Sequence, residues 1–166
     1  MKTNRKKTIS QRQLIDAKLA PLLELRNINM PLDGWLKAIR GALGLTAAQL
    51  AKRMKLQTSD VLHLESREAS KSATLSSLDR AAKALSCRLV WSIVPEKPYD
   101  SLSEIVEKRA KKLANRLVKD VDKTMKLEAQ GISSEASRKQ AEELAMELIR
   151  NGDSRIWEPM DGESND

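Results

Sequence analysis

Gln57, Thr58, Ser59, His63, Ser66 and Arg67 fall on one side of a helical pattern whose other side is Val61 and Leu64. Hydroxyl, amide, imidazole and guanidinium groups at this spacing do not assemble a covalent catalyst. They donate and accept hydrogen bonds, and they are long enough to reach base edges or phosphates. The parts for covalent chemistry are missing. His63 is the only histidine and Cys87 the only cysteine, so neither a triad nor a metal cluster can be built from them. There is no glycine-rich phosphate loop, and the carboxylates sit among lysines at helix-surface spacing. We expect no enzyme, no metal and no cofactor. His63 stays open between a nucleic-acid contact and a plain surface residue, and Cys87 reads as a small packing residue.

The face at 57–67 needs elements to hold it. "TAAQLAKRMKLQTSDVLHLE", Thr46 to Glu65, reads as two short amphipathic helices. Thr46 caps the first, which ends near Met54. The second starts at Gln57 or Thr58 and runs to about Arg67. Ala51 is a small residue for the crossing, and Leu56, Val61 and Leu64 lock the second helix down. Before them, Asp33 or Pro31 starts a helix with Trp35, Leu36, Ile39 and Leu43 on one face, stopped by Gly44. After them, Thr74 caps a helix through Leu75, Leu78, Ala81, Ala82 and Leu85. Leu89, Trp91 and Ile93 alternate with Val90, Ser92 and Val94, which predicts one β-strand ending at Pro95. A lone strand must find a partner inside the chain or in a second subunit. Trp35 and Trp91 are expected in the core or at an interface.

At the N-terminus we expect a disordered basic arm. Ser10 and Gln13 then open a helix that Pro21 kinks or divides. Beyond "PEKPYD", Leu102, Val106, Ala110, Leu113, Leu117 and Val121 form a helical stripe. A last helix from Ser133 or Ser134 ends at Asn151-Gly152. Opposite the stripe, Lys108, Lys112, Arg116, Lys119, Lys123 and Lys126 make a second basic face, either merely solvated or contacting phosphates or an acidic partner.

The 166 residues carry a net charge of +7, unevenly placed. Residues 1–12 hold five bases and no acid, residues 31–95 ten bases against five acids, and residues from 151 onward one base against five acids. A basic front with an acidic tail points to a polyanion partner. No apolar run approaches a membrane span, and a lone cysteine fits a reducing compartment. We expect a soluble, cytoplasmic, nucleoid-associated protein.

"LTAAQLAKRMKLQTSDVLHLE" followed by "LSSLDRAAKAL" resembles the Cro and phage-repressor (XRE-type) helix-turn-helix family over roughly residues 33–86. The resemblance implies a buried ion pair between Arg40 and Glu65 and base-reading positions at Gln57, Thr58, Ser59 and His63. Two positions depart from the family. Lys55 stands where the turn usually has glycine, often at positive φ, at a cost of about 1 kcal/mol. Ala47 stands where a phosphate-binding glutamine is frequent. The wider pattern "GWLKAIRGALGLTAAQLAKRM…LDRAAKALSCRLVWSIVP" is similar to a bacterial family called mobile mystery protein A, over residues 10–120. That family tends to be encoded beside a Fic-domain protein, so the resemblance implies a DNA-binding regulator with a Fic-domain partner. The inhibitory signature of Fic antitoxins is not met: "SEIVEK" and "TMKLEA" have its Ser/Thr-to-Glu spacing without its last residue.

The expected architecture is mostly α. It has a basic arm and N-terminal helix (1–30), then a five-helix Cro/phage-repressor-type helix-turn-helix domain with one trailing β-strand (31–95). A helical C-terminal extension (96–152) and an acidic, disordered tail (153–166) follow. The recognition helix, 58–67, enters the major groove of double-stranded DNA, with Thr46, Ser66, Arg67 and Lys71 on phosphates. One such helix reads few base pairs, so a homodimer on a palindrome is the economical reader. Two functions follow: an autorepressor, or an antitoxin-like protein that neutralises a neighbouring Fic-domain enzyme. No membrane association is expected.

Overall fold

The computed structural model describes residues 5–127 and 134–159. They form α1 (Arg5–Leu19), a 3-10 helix (Ala20–Asn27), α2 (Trp35–Ala42), α3 (Ala47–Met54), α4 (Thr58–Ala69), α5 (Leu75–Ala84), α6 (Leu102–Leu127), α7 (Ser134–Asn151) and a closing 3-10 turn (Ser154–Trp157). The fold is mostly α, and no strand occurs among the described residues. Nor is any helix among them long and apolar enough to cross a membrane. The chain divides into two compact units. One is Leu25–Ile93; the other joins the residues up to Glu24 with those from Val94 onward.

Within Leu25–Ile93, α2 to α5 enclose a core of Leu36, Leu50, Ala51, Val61, Leu64, Ala81 and Leu85, with Ile39, Met54 and Leu78 against its edge. Leu50 and Val61 are fully buried, each burial stabilising by about 1.5–3 kcal/mol. The helix ends are set by the local chemistry the sequence displays. Thr46 accepts from the Gln49 N–H at 3.2 Å while the Gln49 side chain accepts from the Thr46 N–H at 2.8 Å. Thr74 accepts from the Ser77 N–H at 3.2 Å, and Gly44 ends α2 at φ 67°.

In the other unit α6 packs along α7 around Val106, Ala110, Leu113, Ala114, Ala145, Leu148 and Ile156. The three alanines let the backbones approach. The helix α1 docks on α6 through one carboxylate. Asp16 accepts from the Leu102 N–H at 2.7 Å, the Ser103 N–H at 3.1 Å and the Ser103 hydroxyl at 2.6 Å, capping the start of α6. Partial burial works to raise the Asp16 pKa, but the Ser103 hydroxyl, these two N–H groups and the charge of Arg12 outweigh it and hold the group below its usual value. A depressed carboxylate stabilises the fold above its unfolded pKa. That contribution is lost as pH falls from 3.8 through the lowered value. Asp16→Ala is expected to cost about 1–2 kcal/mol at neutral pH; urea unfolding should show the gap to wild type narrowing in acid.

Four expectations need correction. First, α1 begins at Arg5, so described residues of the expected arm are already helical and Ser10 lies inside the helix. Second, 89–94 carries no regular secondary structure, and Val90, Trp91 and Ile93 are exposed. Its alternation is real, but a strand exists only as part of a ladder, and no described segment offers one. Third, the acidic tail does not start at 153. Asp153 caps the 3-10 turn by accepting from the Arg155 N–H at 2.9 Å, and Ile156 is buried; residues 160–166 lie outside the described residues. Fourth, Cys87 is exposed and not a packing residue, and of the two places expected for Trp35 and Trp91 the core is excluded, since both are exposed in the single chain.

Candidate nucleic-acid interface

The helices α3 and α4 are joined by three residues, Lys55, Leu56 and Gln57. Lys55 takes the left-handed conformation, φ 56° and ψ 46°, the geometry for which glycine is the unstrained choice. The turn is nevertheless closed on both sides. The Leu56 N–H donates back to the Ala51 carbonyl at 3.0 Å, and the Gln57 N–H donates forward to Asp60 Oδ2 at 3.0 Å. Ala51, buried beneath α4, leaves room for the close crossing.

Two buried carboxylates on α4 fix its angle to α2. The structure brings Arg40 and Glu65 together as a bidentate pair, Nε to Oε1 at 2.6 Å and Nη2 to Oε2 at 3.0 Å. Arg40 Nη1 also donates to the Leu45 carbonyl at 2.9 Å. The hydrogen bond to Glu65 raises the Arg40 pKa further, against a smaller effect of burial. One turn on, Glu68 Oε2 accepts from the Leu36 N–H at 2.8 Å, capping α2 from another helix. No sequence signal pointed to Glu68; the partner lies 32 positions away.

Gly34 makes this cap fit. Its φ is +82°, and a Cβ there would lie 2.7 Å from Glu68 Oε2. Gly34→Ala is therefore expected to destabilise by about 2 kcal/mol, combining backbone strain with a displaced cap. Gly41 meets nothing within 4 Å. Inside α2, Gly41→Ala should instead stabilise by about 0.5–1 kcal/mol. Paired urea midpoints of the two variants check the contrast.

With Val61, Leu64, Glu65 and Glu68 turned inward, the opposite face of α4 presents Thr58, Ser59, Leu62, His63, Ser66 and Arg67. All are exposed, as is Gln57 at the cap. Leu62, 51% exposed, joins this face unexpectedly. Its position one turn after Thr58 was a usable signal, since Val61 and Leu64 already fill the inward face. Thr46 and Lys71 are also exposed. Lys71 sits at φ 60° in a loop folded back on α4, with the Ser72 and Ala73 N–H groups both donating to the Arg67 carbonyl at 2.8 and 3.1 Å. One connected surface thus offers hydrogen-bonding side chains on a helix, a leucine among them, and cations at the helix end.

On α6, Lys108, Lys112, Arg116, Lys119 and Lys123 are exposed, and the Lys126 side chain lies outside the described residues. Lys108 is committed locally, 3.2 Å from Glu104 Oε1 and 4.7 Å above the Tyr99 ring. No His, Cys, Asp and Glu group among the described residues could hold a metal.

No family model, curated protein or solved structure matches this chain.

Proposed function

We propose that Leu25–Ile93 is a helix-turn-helix domain of Cro/phage-repressor type and that the protein is a sequence-specific DNA-binding regulator, repressing its own promoter. The observation that carries this reading is the outward face of α4. It is a polar, exposed helix face held at a fixed angle by two buried carboxylates, with cations at its end. An α-helix fits the major groove, where hydroxyl, amide and imidazole groups discriminate base pairs. In this reading Gln57, Thr58, Ser59 and His63 touch bases. Leu62 lies against a thymine methyl, and Thr46, Ser66, Arg67 and Lys71 hold phosphates.

Half-site recognition by one short helix is weak, so the reader is a homodimer on a palindrome. The segment 89–94 supplies its contact: period-two, largely apolar, with Val90, Trp91 and Ile93 exposed and no ladder among the described residues, it pairs with the same segment of a second copy. Trp91→Lys should therefore shift sedimentation toward monomer; a dimer of unchanged stability would remove this part of the proposal. Hydroxyl-radical footprinting on a duplex selected from random sequence tests the whole. Two protected patches about 34–36 Å apart are expected; a single patch, or none, contradicts it.

The second reading, an antitoxin-like protein that holds a Fic-domain enzyme inactive, draws on the exposed Lys119 and Lys123 of α6, cations on the unit that does not carry α4. Co-purification with such an enzyme, indifferent to changes on α4, would favour it.

A further inference from the structure

A cavity of about 500 Å3 opens in the unit formed by α1, α6, α7 and the closing 3-10 turn. Its walls are almost entirely apolar, with Ile15, Ile105 and Ile156 among them and the Trp157 ring at one side; Gln11 and Arg12 on α1 add a polar edge. The size and lining are those of a small-molecule site, an apolar slot with a few convergent polar groups.

Both flanks are tied in place. Asp16, one turn beyond Arg12, is spent on the start of α6 through its three hydrogen bonds. Arg109 donates to the Ile156 carbonyl at 2.7 Å and lies 5.4 Å over the Trp157 ring, fixing the 3-10 turn. Arg12 feels Asp16 as a neighbouring charge but forms no ion pair among the described residues. A guanidinium at the edge of an apolar cavity is a one-cation anchor. Its planar fork matches the two oxygens of a carboxylate, and one guanidinium that already has the Asp16 charge beside it suits a head group of no more than one negative charge. A phosphate monoester, nearer two charges, would call for more.

We propose that this cavity binds an alkyl carboxylate, the chain lying among Ile15, Ile105 and Ile156 and the head on Arg12 and Gln11, and that the C-terminal unit is a ligand-binding module. The proposal is independent of DNA binding.

The test is calorimetric titration of the full-length protein with decanoate, decan-1-ol and acetate. Saturable one-to-one binding of decanoate is expected, with decan-1-ol about tenfold weaker for want of the charge and acetate not bound. Arg12→Gln, a substitution in an existing helix, should weaken decanoate about tenfold while leaving decan-1-ol unchanged. Ile105→Trp, which fills the slot, should abolish both, with its circular dichroism spectrum checked against wild type. No saturable decanoate binding, or equal decanoate affinity in wild type and Arg12→Gln, overturns the proposal. So does a change of sedimentation mass in Ile105→Trp without decanoate binding to wild type, which would make the cavity a contact for a second copy.

Discussion

Arg40→Met should destabilise the Leu25–Ile93 unit by about 3–5 kcal/mol, a large share of the stability of so small a domain. The side chains of Arg40 and Glu65 are only 14% and 5% exposed. Removing the guanidinium leaves the Glu65 carboxylate inside the fold with both its charge-assisted partners gone, and leaves the Leu45 carbonyl without the donor that reaches it at 2.9 Å. The cost is mostly that of the stranded charge. Replacing both partners, Arg40→Met with Glu65→Leu, should therefore recover most of the loss, because an apolar pair of similar volume carries no desolvation penalty. Urea unfolding of the two variants decides it. A single variant within about 1 kcal/mol of wild type would mean that the pair is solvated in solution and does not set the angle of α4.

Thr58→Ala with Ser59→Ala should lower affinity for the specific duplex about 10- to 100-fold while leaving binding to scrambled DNA unchanged. Both residues are exposed at the start of α4, and neither hydroxyl is needed for the fold: the forward cap of the helix comes from Asp60. Loss of specific binding alone is thus the signature of base readout. Arg67→Ala and Lys71→Ala should behave differently. If each holds a phosphate as proposed, binding to both duplexes weakens equally and the salt slope falls by about one per residue. Equal weakening of both duplexes by the Thr58/Ser59 pair would move those hydroxyls to the phosphates and leave base reading to His63, Gln57 and Leu62.

Much of the domain was legible because its signals are local. Thr46 with Gln49, Thr74 with Ser77, Gly44 and the inward Val61 and Leu64 lie within one or two turns of what they determine, and the helices end near those residues. Lys55 was legible as an exception. The turn demands a positive φ whatever residue occupies it, and the hydrogen bond from Leu56 to Ala51 holds the lysine there. What escaped the sequence depends on distance along the chain. Glu68 reaching Leu36, and Asp16 reaching Leu102 and Ser103 86 and 87 positions away, leave no periodic trace in either segment. The strand expectation failed for a related reason. Alternation of Leu89, Trp91 and Ile93 records which side chains would share a face, but pairing belongs to a second segment that alternation cannot name. Leu62 is hard to place from the sequence because a leucine on an amphipathic helix ordinarily faces the core. Only once Val61, Leu64, Glu65 and Glu68 occupy the inward face must it point out.

In the proposed function α4 reads sequence. Fluorescence anisotropy of the purified protein on its own upstream duplex and on a scrambled duplex, across a salt series, tests it most directly. Affinity for the upstream duplex is expected to lie about 10³-fold or more above that for the scrambled one, a preference that survives as salt weakens both. Equal affinities falling together with salt would contradict it, reducing the basic surface to a generic polyanion binder.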